Sequence, residues 1–125
     1  LIKPLNSDSL PDLFHSLCLE PRERAAADYL RGMGASGLGV EAAARTAAVL
    51  STGAEGAIPL KEGYAAAMAA QNTSYACVEK NIRSMVGTLQ AGACGEYQAL
   101  MGGLPAERPS NELFLRRLAR RILEW

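Results

Sequence analysis

The chain is short of almost everything that anchors a catalytic or metal-bound reading. It holds one histidine, His15, and three cysteines, Cys18, Cys77 and Cys94, which are odd in number, widely spaced and form no C-x-x-C pair. That pattern supports neither a disulfide framework nor a zinc site, and a reducing cytoplasm is the expected compartment. Carboxylates are scattered singly, without the paired spacing of an acid and a base or of metal ligands, and no Ser or Cys motif accompanies His15, which reads as a core-edge or surface residue. Aromatic residues make up 6% of the chain and runs of β-branched residues are missing, which argues against a strand-rich fold. No apolar run approaches the roughly 18 residues of a membrane span, and no leader pattern opens the chain, so neither insertion nor export is expected. Net charge is missing too. Thirteen basic residues face thirteen acidic ones, which argues against indiscriminate attraction to polyanions. An enzyme, a cofactor and a small-molecule substrate are therefore not expected.

What is present is helix-forming sequence. Ala and Leu are abundant, no segment alternates with period two, and 125 residues suffice for one core without disulfides or metals. The expectation is a compact all-α bundle of six to seven helices over residues 9–125, preceded by a Pro-interrupted linker or disordered start at 1–8. Leu1 in place of Met marks the chain as a fragment in this reading.

Taken in order, Leu10, Leu13, Phe14 and Leu17 form the stripe of a short first helix, and Pro21 opens a second that ends near Gly32. Residues 32–39 contain G-x-G-x-x-G, but a helix precedes them where a dinucleotide-binding loop needs a strand, so they read as a connector. Val40, Ala43, Ala47 and Leu50 give the next helix a narrow packing face. After a loop at 51–56, Leu60, Tyr64, Ala67 and Met68 face inward on a helix that begins at Ile58-Pro59. Asn72 suits a left-handed turn residue. Asn72-Thr73-Ser74 also spells a glycosylation sequon, which is discounted in a chain with no export signal.

Residues 72–90 organise the rest. Tyr75, Val78, Ile82, Met85, Val86 and Leu89 recur at helical steps and predict one buried stripe. The opposite face carries Thr73, Ala76, Lys80, Arg83, Ser84 and Gly87, small and polar residues that permit close approach and offer two cations. Helix, short turn, and a second helix with an exposed face make the helix-turn-helix pattern. Downstream, Tyr97, Leu100 and Met101 predict a short helix stopping at Gly102-Gly103. Ser110 then caps a last helix with Phe114, Leu118, Ile122 and Trp125 on one face and Arg116, Arg117, Arg120 and Arg121 on the other.

Asn72-Thr73-Ser74, Val78-Glu79-Lys80 and Ile82-Arg83, with Lys61 and Tyr64 upstream, resemble the recognition region of the C-terminal DNA-binding domain of the bacterial sporulation master response regulator. Pro109-Ser110-Asn111 followed by Phe114 is similar to the start of that domain's last helix. The likeness spans roughly residues 25 to 123 and is specific in those two blocks. Where the family usually carries Arg this chain has Cys77, and where it carries His this chain has Ser84. The resemblance implies sequence-specific binding of double-stranded DNA through a recognition helix over 74–90, transcription regulation in the bacterial cytoplasm, and an upstream receiver domain or self-association on DNA.

On that basis Lys61, Asn72, Thr73, Ser74, Ala76, Cys77, Glu79, Lys80, Arg83 and Ser84 are the candidate DNA-binding residues. Arg suits a bidentate contact to guanine, Lys a base or a phosphate, and Glu79 either a cytosine amino group or an internal pair. Arg116 and Arg120 are candidate phosphate contacts, the alternative being a solvated or internally paired face. Residues 1–60 carry two more acidic than basic side chains and residues 105–125 two more basic than acidic, so positive field gathers toward the C-terminal part. Cys77 sits at a helix start, where a thiol pKa falls; a redox-sensing role and a merely small residue on a close-approach face both fit. The competing function is a helical protein-protein interaction module that keeps the fold and has lost specific DNA binding.

Overall fold

The computed structural model describes residues 19–54 and 56–125. The expected linker at 1–8 and the short helix containing His15 and Cys18 lie outside the described residues, apart from Leu19, which is helical. Among the described residues the chain is all-α, with six helices and no strand: α1 (helical through 19–32), α2 (Leu38–Leu50), α3 (Leu60–Gln71), α4 (Tyr75–Gly92), α5 (Gly95–Met101) and α6 (Asn111–Leu123). None is long and apolar enough to cross a membrane. Pro21 was expected to open α1 but lies inside it, since the chain is already helical at residue 19 and proline's fixed φ is compatible with helix.

The centre of the bundle is α2, which packs against α3, α4 and α6, while α3 and α6 also contact α4 and α5 rests on α6. A narrow face was expected for α2, but burial wraps nearly around it: Gly39, Val40, Ala42, Ala43, Ala44, Thr46, Ala47, Ala48 and Leu50 are all buried. Alanine explains the difference. With alanine at five of its 13 positions and glycine at a sixth, α2 can be approached from several sides, so three helices find room around it.

Two contacts set how close they come. At Gly39 the backbone of α2 lies against the Asn81 carbonyl and the Met85 Cβ of α4, so any Cβ at this position would collide with main chain. At Gly63 the first turn of α3 lies against Thr46 of α2, where an added Cβ would sit 2.6 Å from Thr46 Cγ2 and 3.1 Å from its carbonyl oxygen. The buried Thr46 hydroxyl donates to the Gly63 carbonyl at 3.3 Å, which satisfies a polar group that burial would otherwise penalise.

The glycine stretch at 32–39 is the connector expected. Met33 and Ala35 amides donate to the Leu30 carbonyl and close α1, Gly34 and Gly37 have φ of 102° and 85°, and Gly37 caps α2. From α1, Arg22 Nη1 reaches the Ser51 carbonyl at 3.3 Å and its hydroxyl at 3.2 Å, tying α1 to the end of α2.

At the far end, Phe114, Leu118 and Ile122 of α6 are buried as expected, joined by Leu115 and Ala119. Trp125 does not continue that stripe. It follows the end of α6, is 53% exposed, and meets Tyr29 edge to face with ring centroids 5.2 Å apart.

The glycine geometry yields a paired test. Gly63→Ala should lower unfolding stability by about 1–3 kcal/mol, the usual penalty for forcing an extra carbon into a packed contact. Gly87→Ala in α4, where a Cβ would meet only the Arg108 Cδ at an ordinary 3.5 Å, should raise stability by about 0.5–1 kcal/mol through helix propensity. Urea unfolding of the two variants measures both.

Candidate nucleic-acid interface

Three residues join α3 to α4, and each has a defined job. Asn72 adopts the left-handed conformation at φ 51°, ψ 54°, where its amide and that of Thr73 close the end of α3 on the Met68 carbonyl. Ser74 is extended, and its Oγ accepts the Cys77 amide at 3.2 Å, satisfying one of the free donors at the start of α4. The chain therefore reverses within a single short turn, and α4 begins in solvent.

On α4 the apolar stripe is Val78, Ile82, Met85, Val86 and Leu89, all buried. Tyr75, expected to head that stripe, is 51% exposed. Its ring stands edge-on to the buried Tyr64 with centroids 5.1 Å apart and planes at 71°. Tyr64 of α3 already fills the space beneath the first turn of α4, which leaves Tyr75 on the rim.

The opposite side of α4 carries the expected residues except Thr73, which lies in the turn before the helix and is half-buried. Ala76, Lys80, Arg83 and Gly87 fall within roughly 60° of one another at about 100° per residue, with Cys77 and Ser84 flanking. All are exposed except Gly87, which is partly covered. Glu79 is half-buried at the edge of this face and accepts an ion pair from Arg83 at 2.8 Å. Asn72, Thr73 and Ser74 line the turn at the amino end of the helix. Lys61 is exposed on the first turn of α3, at the end of that helix away from the turn.

Arg116 and Arg120 belong to a different surface, on α6 beside the loop that leads into α3. Arg116 is half-buried; its Nη1 donates to the Ile58 carbonyl at 2.9 Å and its Nη2 to Glu112 at 3.2 Å, so its guanidinium ties α6 to that loop. Arg120 is exposed and lines a small cleft with Leu50, Gly53, Gly56 and Leu123. Among the described residues no group of His, Cys, Asp and Glu is arranged to hold a metal ion.

The orientation of α4 depends on Asn111 at the start of α6. This residue is buried, and its Nδ2 donates to the Tyr64 hydroxyl and to the Glu79 carbonyl, each at 3.1 Å. A carbonyl can only accept, so the amide nitrogen must face Glu79; the Oδ1 atom is buried with no partner among the described residues. Burial pushes the Tyr64 phenol above its ordinary pKa while the Asn111 hydrogen bond acts the other way, so Tyr64 remains a neutral acceptor. Ser110 Oγ accepts the Leu113 amide at 3.1 Å and so fixes the turn that presents Asn111. The sequence reading placed Asn111 at a helix start without seeing that it joins three helices.

Gly87 lies on the expected face of α4, and Arg108, for which the sequence suggested no role, reaches it from the loop between α5 and α6.

The Cys77 thiol is held below its ordinary pKa, chiefly by hydrogen bonds from the Ser74 and Thr73 hydroxyls to the thiolate, with the Lys80 ammonium as a lesser cause. No protein-family model, no curated protein and no solved structure matches this chain.

Two predictions follow from this geometry. Asn111→Ala leaves the Glu79 carbonyl and the Tyr64 hydroxyl without their donor and should lower stability by about 1–3 kcal/mol in urea unfolding. Because the Cys77 pKa is depressed, its thiolate persists to lower pH than that of an ordinary cysteine. In a Cys18→Ser, Cys94→Ser background, the alkylation rate should therefore reach half its plateau at a pH below the usual thiol range of about 8.5, and Ser74→Ala should move that midpoint upward.

Proposed function

We propose that this chain binds duplex DNA in a sequence-specific manner through the exposed face of α4 and thereby regulates transcription. The observation that carries the reading is a helix whose start is presented at the surface by a three-residue turn, with Lys80 and Arg83 on an otherwise small face. A helix can enter the major groove only if its leading side chains do not hold the backbone away from the bases, and Ala76, Cys77, Ser84 and Gly87 meet that demand. The likeness of Asn72-Thr73-Ser74 and Val78-Glu79-Lys80 to the sporulation regulator's recognition region points to the same face.

The Arg83–Glu79 ion pair does not oppose this. Both side chains are part exposed, at 46% and 34%, and such an i, i+4 pair is worth about 0.3–0.5 kcal/mol. A bidentate contact from Arg to guanine supplies about 1–3 kcal/mol of discrimination, so exchanging one for the other is favourable. The same pair is, however, the observation that favours the second reading. With Arg83 neutralised by Glu79, Lys80 is the one charge on the stripe without an ion pair among the described residues, and Tyr75 stands half-exposed beside it, which suits a protein partner that replaces DNA.

A selection from a random duplex library, followed by titration of the selected sequence against its scramble, separates the two. On the DNA reading, binding survives excess competitor at moderate salt, and Arg83→Ala flattens preference at one base pair while weakening the scrambled duplex little. Equal affinity for every duplex that vanishes near physiological salt would leave the interaction module as the function.

A further inference from the structure

The loop between α5 and α6 crosses the exposed side of α4, and its backbone is fixed at both ends. Gln90 of α4 donates through Nε2 to the Pro105 carbonyl at 2.7 Å, and its Oε1 accepts the Tyr97 hydroxyl at 2.6 Å. Pro109 is buried, and Ser110 next to it is locked as the cap of α6. Between these ties Arg108 is exposed, and its Cδ lies 3.5 Å from the point where a side chain at Gly87 would begin. The arm of Arg108 thus rests on the one position of the α4 stripe that has no side chain of its own. Among the described residues it has no acidic partner within ion-pair distance, although the exposed Glu107 precedes it in the chain.

Resting on the DNA reading above, we infer that Arg108 is a phosphate contact that flanks the reading helix. Gly87 lies seven residues beyond Lys80, roughly 10 Å further along the helix axis. Recognition helices touch base edges with their amino-terminal residues, so the later turns of α4 leave the groove at the level of the sugar-phosphate backbone. A pinned loop holds the base of Arg108 at that level, and the planar donors of its guanidinium suit phosphate oxygens. Gly87 serves as the seat for that arm. Arg108 adds charge to the face without occupying a base-reading position, which compensates locally for the pairing of Arg83 with Glu79.

The test is a salt titration of wild type, Arg108→Ala, Arg108→Lys and Arg83→Ala against the selected duplex and its scramble, with folding of each variant checked by circular dichroism. Arg108→Ala should weaken both duplexes by the same factor and reduce the log–log salt slope by about 0.9, so that the wild-type advantage shrinks about threefold to fourfold between about 50 and 200 mM salt. Arg108→Lys should keep the wild-type slope. If Arg108→Ala leaves slope and affinity unchanged while Arg83→Ala still loses discrimination, the DNA reading stands and the role of Arg108 is overturned. A loss of discrimination with an unchanged slope would make Arg108 a base contact and overturn the phosphate assignment. Failure of the wild type to bind any duplex would overturn both.

Discussion

The close approach of α2 to its neighbours is the constraint on which the rest of the structure depends. A helix with Gly39, Thr46 and five alanines among its 13 residues offers less apolar area per residue than a leucine-rich one, so much of its contribution to the core comes where backbones are near enough for methyl groups to touch main chain. Gly39 against Asn81 and Gly63 against Thr46 are the two places where this happens. Each replaces side-chain volume with proximity, and together they fix α3 and α4 on the same central helix. The short turn at 72–74 then has no freedom left. Its left-handed Asn72 and extended Ser74 are the conformations that join two helices already held in place.

Asn111 adds what apolar packing cannot. Val78, Ile82, Met85, Val86 and Leu89 decide which side of α4 faces the core, but smooth contacts between aliphatic groups tolerate small rotations and slides. A buried amide that must satisfy the Glu79 carbonyl and the Tyr64 hydroxyl at once does not, because a displacement of the helix breaks a hydrogen bond of a largely buried group. The exposed stripe from Ala76 to Gly87 is therefore held in angle by α6, a helix that contributes nothing to the stripe itself. Any ligand of that stripe meets a surface already oriented, which keeps the ordering cost of binding low.

Much of this was legible in the sequence because it rests on local chemistry. Ser110 as a cap, Asn72 as a left-handed turn residue, the stop at Gly102-Gly103 and the period of α4 all follow from one residue and its near neighbours. Tyr75 was misjudged for a non-local reason: helical period assigns it to the buried stripe, but Tyr64 from another helix occupies that space first. The central role of α2 was hidden because its five alanines fall on several sides of the helix and leave no single apolar face to stand out. Gly63 and Thr46, Asn111 and Glu79, and Arg108 and Gly87 are pairs between distant parts of the chain, and no spacing rule connects them.

The zero net charge of the chain looks at first like an argument against any polyanionic partner. Screening makes it a weak one, since charges more than about 8 Å away contribute little at physiological ionic strength and the field that a phosphate feels is set by its immediate neighbours. Several acidic residues of this chain are paired within it, Glu23 with Arg45, Glu41 with Arg31, Glu112 with Arg116 and Glu124 with Arg121, and none of these belongs to α4. On the exposed α4 face the balance is different. Glu79 neutralises Arg83, while Lys80 and Arg108 have no acidic side chain within ion-pair distance among the described residues. A chain neutral as a whole thus presents a face that is modestly cationic, enough to orient a duplex and too little to hold every duplex alike. Selectivity on such a face has to come from the fit of small side chains to base edges, which is the demand that the flat stripe of α4 meets.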